Sequence, residues 1–391
     1  MTTSPTSRAR RPASRANSAT GAAPGGRARL RVVPPILVRQ LRDGVEESVH
    51  RGDIVEVDAG GRVIRSIGDP NRQVLLGSAA HPFGVVALIE AGGLDAFGLE
   101  PAELALMAGS HSGEDLHVRT LQGVLRRATL TQTLLVCGSM DGMPLDPLTA
   151  ARLARDGEKA GPVRHMCSGQ HAVAILLSKL NGWEMTGYWM PHHPAQVAMA
   201  AVVARALGTT PDRLRTVTDA CGLPTWLVPL HEVARVFALL AQPTVAQPAD
   251  PRAALAPALS LVRDAMLAHP DMVGGIRDRL DTSLMKAAPG RLISKSGHEG
   301  LRGMAILAGR RGNGTKHGAS GLAIKIEDGG GDARGPWAAG VEALRQVGVL
   351  DIHAMRALGR YHRPGIRDAE GLVVAEAVPG FDLVPVGELV P

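Results

Sequence analysis

Strand-like alternation is confined to the two ends of this 391-residue chain, whereas the long stretch between them is patterned like helices. Residues 53–67 alternate apolar and polar side chains around an Ala-Gly-Gly turn, and residues 303–307 and 322–327 repeat the strand pattern. From about residue 78 to residue 285 the apolar residues recur at helical spacing, as in residues 117–127. The sequence therefore predicts an α/β protein with an antiparallel sheet from both chain ends and a mainly helical middle.

Positive charge is concentrated in the first 34 residues, which contain seven arginines and no acidic residue. The remaining residues carry 36 basic and 37 acidic side chains, so the net charge of +6 comes from this segment. Its richness in Ser, Ala, Gly and Pro predicts a disordered basic tail over residues 1–34, followed by a folded unit over residues 35–391. The balanced charge of that unit and the 3% aromatic content indicate no nucleic-acid partner.

The location expected from the sequence is the cytoplasm. No apolar run approaches the ~18 residues of a membrane-spanning helix, and no hydrophobic segment follows the arginine-rich start, so neither a membrane partner nor secretion is predicted. Cys137, Cys167 and Cys221 are odd in number and too few for a disulfide framework, which is typical of a reducing compartment.

Ser78 and His81 have the composition of a nucleophile and its base. Positions three apart on a helix share a face, so the imidazole is expected to approach the hydroxyl. A serine hydroxyl is a weak nucleophile at neutral pH and needs such a neighbour. The alternative is structural, with Ser78 capping a helix whose first turn contains Pro82.

Residues 110–114, Ser-His-Ser-Gly-Glu, combine hydroxyl, imidazole and carboxylate groups between two helical segments. They fit either a functional site or a capping box, in which Ser and Glu satisfy backbone amides. Lys295 lies in a glycine-spaced segment before a late strand. It is either a partner for a substrate carboxylate or a solvated turn residue.

Residues 165–171, His-Met-Cys-Ser-Gly-Gln-His, place Cys167 between two imidazoles, and Cys221 is a distant candidate partner. Thiolates and imidazoles are zinc ligands, although neither spacing matches a structural zinc motif. The alternative is that both are buried apolar cysteines.

The order and spacing of these motifs resemble those of the asparaginase II family over about residues 35–343. The similarity is carried by residues 45–52 (Val-Glu-Glu-Ser-Val-His-Arg-Gly), 110–114, 167–171, 193–196, 219–222, 281–282, 295–300 and 324–329. The resemblance implies a serine-β-lactamase-like fold, hydrolysis of L-asparagine to aspartate and ammonia, and a homodimer. It also implies catalytic serines at Ser78 and Ser110, and zinc held by Cys167, Cys221 and a lysine.

Several positions depart from the family's pattern where the chemistry lies. The family's Arg-Ser-x-x-Lys is replaced here by Gly77, Ser78 and His81. Its zinc-binding lysine is replaced by Gln170, so any zinc is expected to bind weakly unless His165 or His171 substitutes for the lysine. Glycine at position 77 removes a bidentate partner for a carboxylate and is expected to open space. Because histidine titrates near neutral pH, His81 is expected to replace the lysine as base.

Three functions are compatible with these residues. In the first, the chain is an amidohydrolase in which Ser78 is the nucleophile, His81 the base and Ser110 a proton relay. In the second, it is a repurposed relative that hydrolyses or transfers a bulkier amide or ester in specialised metabolism. In the third, it binds a small molecule without catalysis. The candidate substrate-binding residues are Glu114, His171 and Lys295.

Overall fold

A computed structural model describes residues 33–138, 144–244, 249–310, 316–329 and 333–386. The predicted tail therefore lies outside the described residues, apart from its last two. The described strands are β1 (Ile36–Arg42), β2 (Val45–Asp58), β3 (Val63–Ile67), β4 (Gln73–Leu75), β5 (Arg215–Thr218), β6 (Pro224–Pro229), β7 (Leu292–Ser296), β8 (Leu301–Ile306), β9 (Gly309–Arg310), β10 (Lys316–His317), β11 (Ser320–Ile326), β12 (Gly365–Arg367), β13 (Val373–Pro379) and β14 (Val384–Pro385).

The helices fill the middle of the chain and recur near its end. They are α1 (His81–Glu90), α2 (Gly93–Phe97), α3 (Pro101–Ala108), α4 (Asp115–Arg127), α5 (Pro147–Asp156), α6 (Ser168–Leu180), α7 (Pro194–Ala206), α8 (Leu230–Ala241), α9 (Ala256–Ala268), α10 (Pro270–Val273), α11 (Leu280–Ala287), α12 (Arg334–Gln346), α13 (Ile352–Ala357) and α14 (Gly359–His362). Within the described ranges, no helix is long and apolar enough to cross a membrane.

One antiparallel sheet joins the two ends of the chain, in the order β12-β13-β1-β2-β11-β8-β7, with β3 beside β2 and β14 beside β3. The 14-residue β2 pairs with β1 through its first half and with both β11 and β3 through its second half, so the sheet curls at this strand. The predicted α/β class, with an antiparallel sheet built from both chain ends, is confirmed. Its serine-β-lactamase-like character stays a prediction.

Some strands escape the sequence patterns. A small antiparallel sheet, β4-β6-β5, has two of its strands, β5 and β6, inside the predicted helical middle. Its outer strands have three and four residues and are too short to show alternation. The helix predicted over residues 337–347 is not the last element, because β12, β13 and β14 follow it. The sequence of β13, Val-Val-Ala-Glu-Ala-Val-Pro, lacks a regular alternation.

Helices cover both faces of the main sheet. On one face α8 lies close to β11, because Gly321 has no side chain there: an added Cβ would be 1.9 Å from Ala234 O. On the other face α11 and α12 pack over β1 and β11 around a second apolar core that includes Leu284, Val341 and Ile324. Strand β7 forms one edge of the sheet and contacts α9, α11 and the one-turn 3₁₀ helix Gly77–Ala80. The candidate site lies at this edge.

Candidate active site

Ser110 and Lys295 meet in a buried hydrogen bond. Lys295 Nζ donates to Ser110 Oγ over 2.7 Å and to Ser296 O over 2.7 Å. Ser110 follows α3 and Lys295 lies on β7, so the fold joins residues 185 positions apart in the sequence. Both side chains are buried, that of Lys295 completely. An amine that loses its proton can accept one from a serine hydroxyl, so this pair has the composition of a nucleophile and its base.

Burial lowers the pKa of Lys295 from 10.5 to about 8, because the charged amine loses its hydration. The carboxylate of Asp281 opposes this effect, whereas the guanidinium groups of Arg279 and Arg302 add to it. A pKa near 8 leaves part of the amine neutral in slightly alkaline solution, as a general base requires.

Asp281 holds the strand segment that carries Lys295. It accepts hydrogen bonds from Ser294 Oγ (2.6 Å), Ser296 Oγ (2.7 Å) and Ser296 N (3.0 Å), and it pairs with Arg302. Burial alone would raise the pKa of this carboxyl, but the charges of Arg302 and Lys295 and the serine hydroxyls hold it well below its usual range. The sequence singles out Asp281 only through the family resemblance, and it gives no signal for Arg302.

A second guanidinium group fixes the backbone at Ser110. Arg279 Nη2 donates to Ser110 O over 2.7 Å. Burial lowers the pKa of Arg279 from its ordinary value, although guanidinium stays protonated at physiological pH. The serine is thus held through its carbonyl by Arg279 and through its hydroxyl by Lys295.

No hydrogen bond joins Ser78 and His81 in the described structure. Ser78 Oγ lies 3.8 Å from Cys167 Sγ, whereas His81 Nδ1 donates to Gly109 O over 2.6 Å. Burial and the charge of Lys295 lower the pKa of His81 to about 3, so it is a weak base at physiological pH. Because α1 begins at His81, Ser78 falls in the preceding 3₁₀ turn and the expected helical pairing does not form.

Cys167 and Cys221 come together beside Ser78. The Cys221 thiol donates to Cys167, which lowers the pKa of Cys167 and raises that of Cys221. Gln170, at the family's lysine position, lies with its carboxamide against Gly84. Over the described part of the chain, no group of three or more His, Cys, Asp or Glu side chains is arranged to hold a metal ion. Two thiols fall short of the three or four protein ligands of zinc sites, but the His171 imidazole contacts Cys221, so zinc binding at Cys167 and Cys221 stays a prediction.

Glu114 and His171, two of the predicted substrate-binding residues, are buried and contact protein groups. His171 Nδ1 lies 2.6 Å from Tyr188 Oη. Glu114 occupies the N-cap position of α4 and accepts hydrogen bonds from Ser112 Oγ (2.9 Å) and Ile276 N (3.0 Å). These contacts agree with a structural use of both side chains, and their roles in substrate binding stay predictions.

The side chains of Asp219 and His298 form a pair in the space beside Gly77. His298 Nε2 is 2.9 Å from Asp219 Oδ1, and a Cβ added to Gly77 would be 2.9 Å from His298 Cδ2. Gly77 also has a φ of 51°, in the left-handed region that favours glycine. The expectation that Gly77 opens space is therefore wrong on this side, because the His298 ring fills it. The contact with Asp219 raises the pKa of His298.

A small cavity of about 20 Å³, with room for roughly one water molecule, lies next to this pair. Its polar lining includes His81, Gln170 and Asp219. Its apolar lining is Ala80, Met199, Val203, Leu223, Pro224 and Trp226. This volume is far below the roughly 300–1,000 Å³ of small-molecule sites, so the cavity as it stands does not hold a substrate.

Comparisons with solved structures find distant similarities. The native form of Mglu is 13% identical over 77% of this chain and 66% of its own, with a TM-score of 0.33. A Bacillus subtilis protein described as a probable glutaminase is 11% identical over 79% of this chain and 86% of its own, with a TM-score of 0.33. This chain spans just under two thirds of the Mglu chain. Similarities this weak support no conclusion about activity.

Comparison at the level of families is more informative. No curated protein matches the chain significantly. A family model described as L-asparaginase II, however, matches residues 38–379, which is most of the chain and includes every candidate site residue. The chain belongs to the L-asparaginase II family, a family of amidohydrolases.

Proposed function

We propose that this protein is a serine amidohydrolase that converts L-asparagine to L-aspartate and ammonia. The observation that carries the proposal is the 2.7 Å hydrogen bond between Ser110 Oγ and the buried amine of Lys295. Membership of the L-asparaginase II family supports the class of reaction. The substrate itself is part of the proposal.

In the proposed reaction, neutral Lys295 takes the proton of Ser110 as the hydroxyl oxygen bonds to the amide carbon. Lys295 then returns this proton to the amide nitrogen, so that the C–N bond breaks and ammonia leaves. Water attacks the resulting ester, giving its proton to Lys295, which passes it back to Ser110 Oγ as aspartate is released. Lysine thus acts first as base and then as acid, which a pKa near 8 permits in both directions.

This proposal gives Ser78 a different role from the one expected from the sequence. Its hydroxyl lies against the Cys167 thiol, and His81 is bonded to Gly109 O. We therefore assign the nucleophile to Ser110, and Ser78 is the alternative that the variants must test.

The experiment is ammonia release from a panel of amides by the wild type, Ser110→Ala and Ser78→Ala. The panel contains L-asparagine, L-glutamine, β-aspartyl compounds and N-substituted amides. We expect release from L-asparagine, a loss of about 10³-fold or more in Ser110→Ala, and a smaller loss in Ser78→Ala. Loss in Ser78→Ala alone would contradict the assignment of the nucleophile.

The same panel tests the second function, turnover of a bulkier amide or ester by a repurposed relative. Release only from the larger amides of the panel would support this second function. Binding without product from any amide would instead support the non-catalytic function.

A further inference from the structure

A second cavity, of about 530 Å³, is lined by none of the candidate active-site residues. Its walls come from the end of α7 and the loop after it, from α8, and from the short 3₁₀ helices Pro211–Arg213 and Pro251–Leu255. Its volume lies within the roughly 300–1,000 Å³ of small-molecule sites. We call this cavity the arginine pocket, because four of its nine lining residues are Arg205, Arg213, Arg235 and Arg252.

The lining of the arginine pocket has an excess of positive charge. Its four guanidinium groups are accompanied by one carboxylate, that of Asp250, which leaves three positive charges in excess. Glu90 pairs with Arg205 and Glu232 pairs with Arg235, but neither acid lines the cavity. The charge of the lining therefore favours an anionic ligand.

Protein carboxylates hold three of the guanidinium groups and leave part of each one free. Arg252 Nε donates to Asp250 over 3.0 Å, and Arg235 Nε donates to Glu232 over 2.7 Å. The Nη1 groups of Arg205, Arg235 and Arg252 donate no hydrogen bond to any described residue. These side chains are 22–32% exposed, so they are partly buried and still open to solvent. A guanidinium that is already held on one side loses little rotamer freedom when a ligand binds the other side.

Gly208 and Arg213 leave the arginine pocket accessible. A Cβ added to Gly208 would be 3.6 Å from Arg235 Nη1, so the glycine leaves this nitrogen uncovered. Arg213 is exposed, and it forms no ion pair or side-chain hydrogen bond with a described residue. The carboxylate of the adjacent Asp212 is near enough to interact with it electrostatically. The Arg213 guanidinium can therefore donate all of its N–H groups to a ligand.

Phosphate groups match these features. Each phosphate carries about −1.5 to −2 charge near pH 7 and has three acceptor oxygens. Two phosphates therefore balance an excess of three positive charges and accept hydrogen bonds from several guanidinium groups. Apart from Pro251, the described lining residues are charged, threonine or glycine, and none is aromatic, so the lining provides no surface for stacking a nucleobase.

We propose that the arginine pocket binds a small molecule with two or more adjacent phosphate groups, and that it recognises the phosphates rather than a base. Inorganic polyphosphates and nucleoside di- and triphosphates share this chemistry. The inference is independent of the proposed function, because none of the residues that carry it takes part in the proposed reaction.

Calorimetric titration of the full-length protein with inorganic triphosphate, in buffer without divalent cations, tests the proposal. We expect one triphosphate to bind per chain. Arg213→Gln should raise Kd about 5-fold or more and Arg252→Gln about 10-fold or more, because each removes one guanidinium from the phosphates. The matched control is Arg126→Gln, at an exposed position of α4, which should leave Kd unchanged.

Circular dichroism and thermal unfolding establish that each variant is folded. Arg213→Gln removes no ion pair between described residues, so it keeps the test valid even if Arg252→Gln unfolds. Failure of the wild type to bind triphosphate at about 1 mM would overturn the proposal. An unchanged Kd in Arg213→Gln and in folded Arg252→Gln would also overturn it.

The arginine-rich first 34 residues are a competing binder of polyanions. A double variant, Arg10→Gln with Arg11→Gln, lowers the charge of that segment and leaves the arginine pocket unaltered. We expect this double variant to bind triphosphate with nearly unchanged Kd. A loss of affinity in the double variant, with none in the pocket variants, would assign binding to the first 34 residues and overturn the proposal.

Other anions show which groups the pocket recognises. We expect ATP and GTP to bind within about 3-fold of triphosphate, and inorganic phosphate and citrate to bind at least about 10-fold more weakly. Citrate that binds as tightly as triphosphate, or ATP that binds more than about 10-fold more tightly, would overturn recognition through the phosphates. Within that limit, the tighter of triphosphate and ATP shows whether an inorganic polyphosphate or a nucleotide is the better ligand.

Discussion

Replacing Lys295 by methionine tests whether burying this amine lowers the stability of the folded protein. Burial lowers the pKa from 10.5 to about 8, so protonation of Lys295 is less favourable in the folded than in the unfolded state. At about 1.36 kcal/mol per pH unit, the buried charge costs about 3 kcal/mol of folding free energy below pH 8. Between pH 8 and pH 10.5 the unfolded chain binds more protons than the folded one, so stability rises with pH and the cost disappears.

Lys295→Met removes this titration and keeps most of the aliphatic side chain. It also removes the two hydrogen bonds that Nζ donates, and this loss changes the free energy of unfolding by the same amount at both pH values. We expect the free energy of unfolding of the wild type, relative to Lys295→Met, to rise by about 2–3 kcal/mol between pH 7 and pH 10. Urea unfolding at both pH values measures it, and Lys179→Met, at an exposed position of α6, is the matched control. An equal difference at the two pH values would refute a buried, destabilised amine.

The other predictions concern the groups around Lys295. If neutral Lys295 is the base, kcat/KM for ammonia release rises with pH through about 8, and a flat or falling profile would contradict this. Asp281→Asn leaves Arg302 buried without its carboxylate partner, so urea unfolding should show a free energy of unfolding lower by about 3–5 kcal/mol. Because Asp281 raises the pKa of Lys295, the same variant should shift the rise of kcat/KM to lower pH. His81 has a pKa of about 3, against 6.5 when unfolded, so the wild type should lose about 2 kcal/mol of stability between pH 7 and pH 5 that His81→Gln does not lose. Metal analysis of dialysed protein should find less than one zinc per chain, and stoichiometric zinc that is lost in Cys167→Ser would show that the thiols do bind it.

The sequence predicted the fold class because its strand patterns are long and lie at the two ends of the chain. The hairpin over residues 53–67 is present as the second half of β2 with β3, and the predicted strands over 303–307 and 322–327 correspond to β8 and β11. The small sheet of β4, β5 and β6 could not be predicted from the sequence, because strands of three and four residues are too short to show a periodic pattern.

The sequence identified Ser110 and Lys295 as candidates but could not pair them. They are 185 residues apart, and only the packing of β7 against the helical region brings them to 2.7 Å. Ser78 and His81 show the opposite case, because their spacing predicts a contact that the structure lacks. Helix α1 begins only at His81, so the two residues do not lie on one face of a common α-helix. In the sequence, Arg302 is indistinguishable from a solvated strand residue. Its burial is explained only by the buried carboxylate of Asp281 with which it pairs.

The His298 ring beside Gly77 was equally hidden from the sequence. A glycine in place of a large residue suggests an empty space, but the fold places a residue more than two hundred positions later in it. Whether such a space is filled depends on tertiary packing, which one sequence position does not encode.

The central claim is that Ser110, activated by Lys295, forms the ester with the substrate. Acid quenching of the wild type during turnover of L-asparagine, followed by peptide mass spectrometry, locates the acyl group directly. We predict an aspartyl group on the peptide that contains Ser110 and none on the peptide that contains Ser78. An acyl group on Ser78, or steady ammonia release with no acyl group on either serine, would contradict the account.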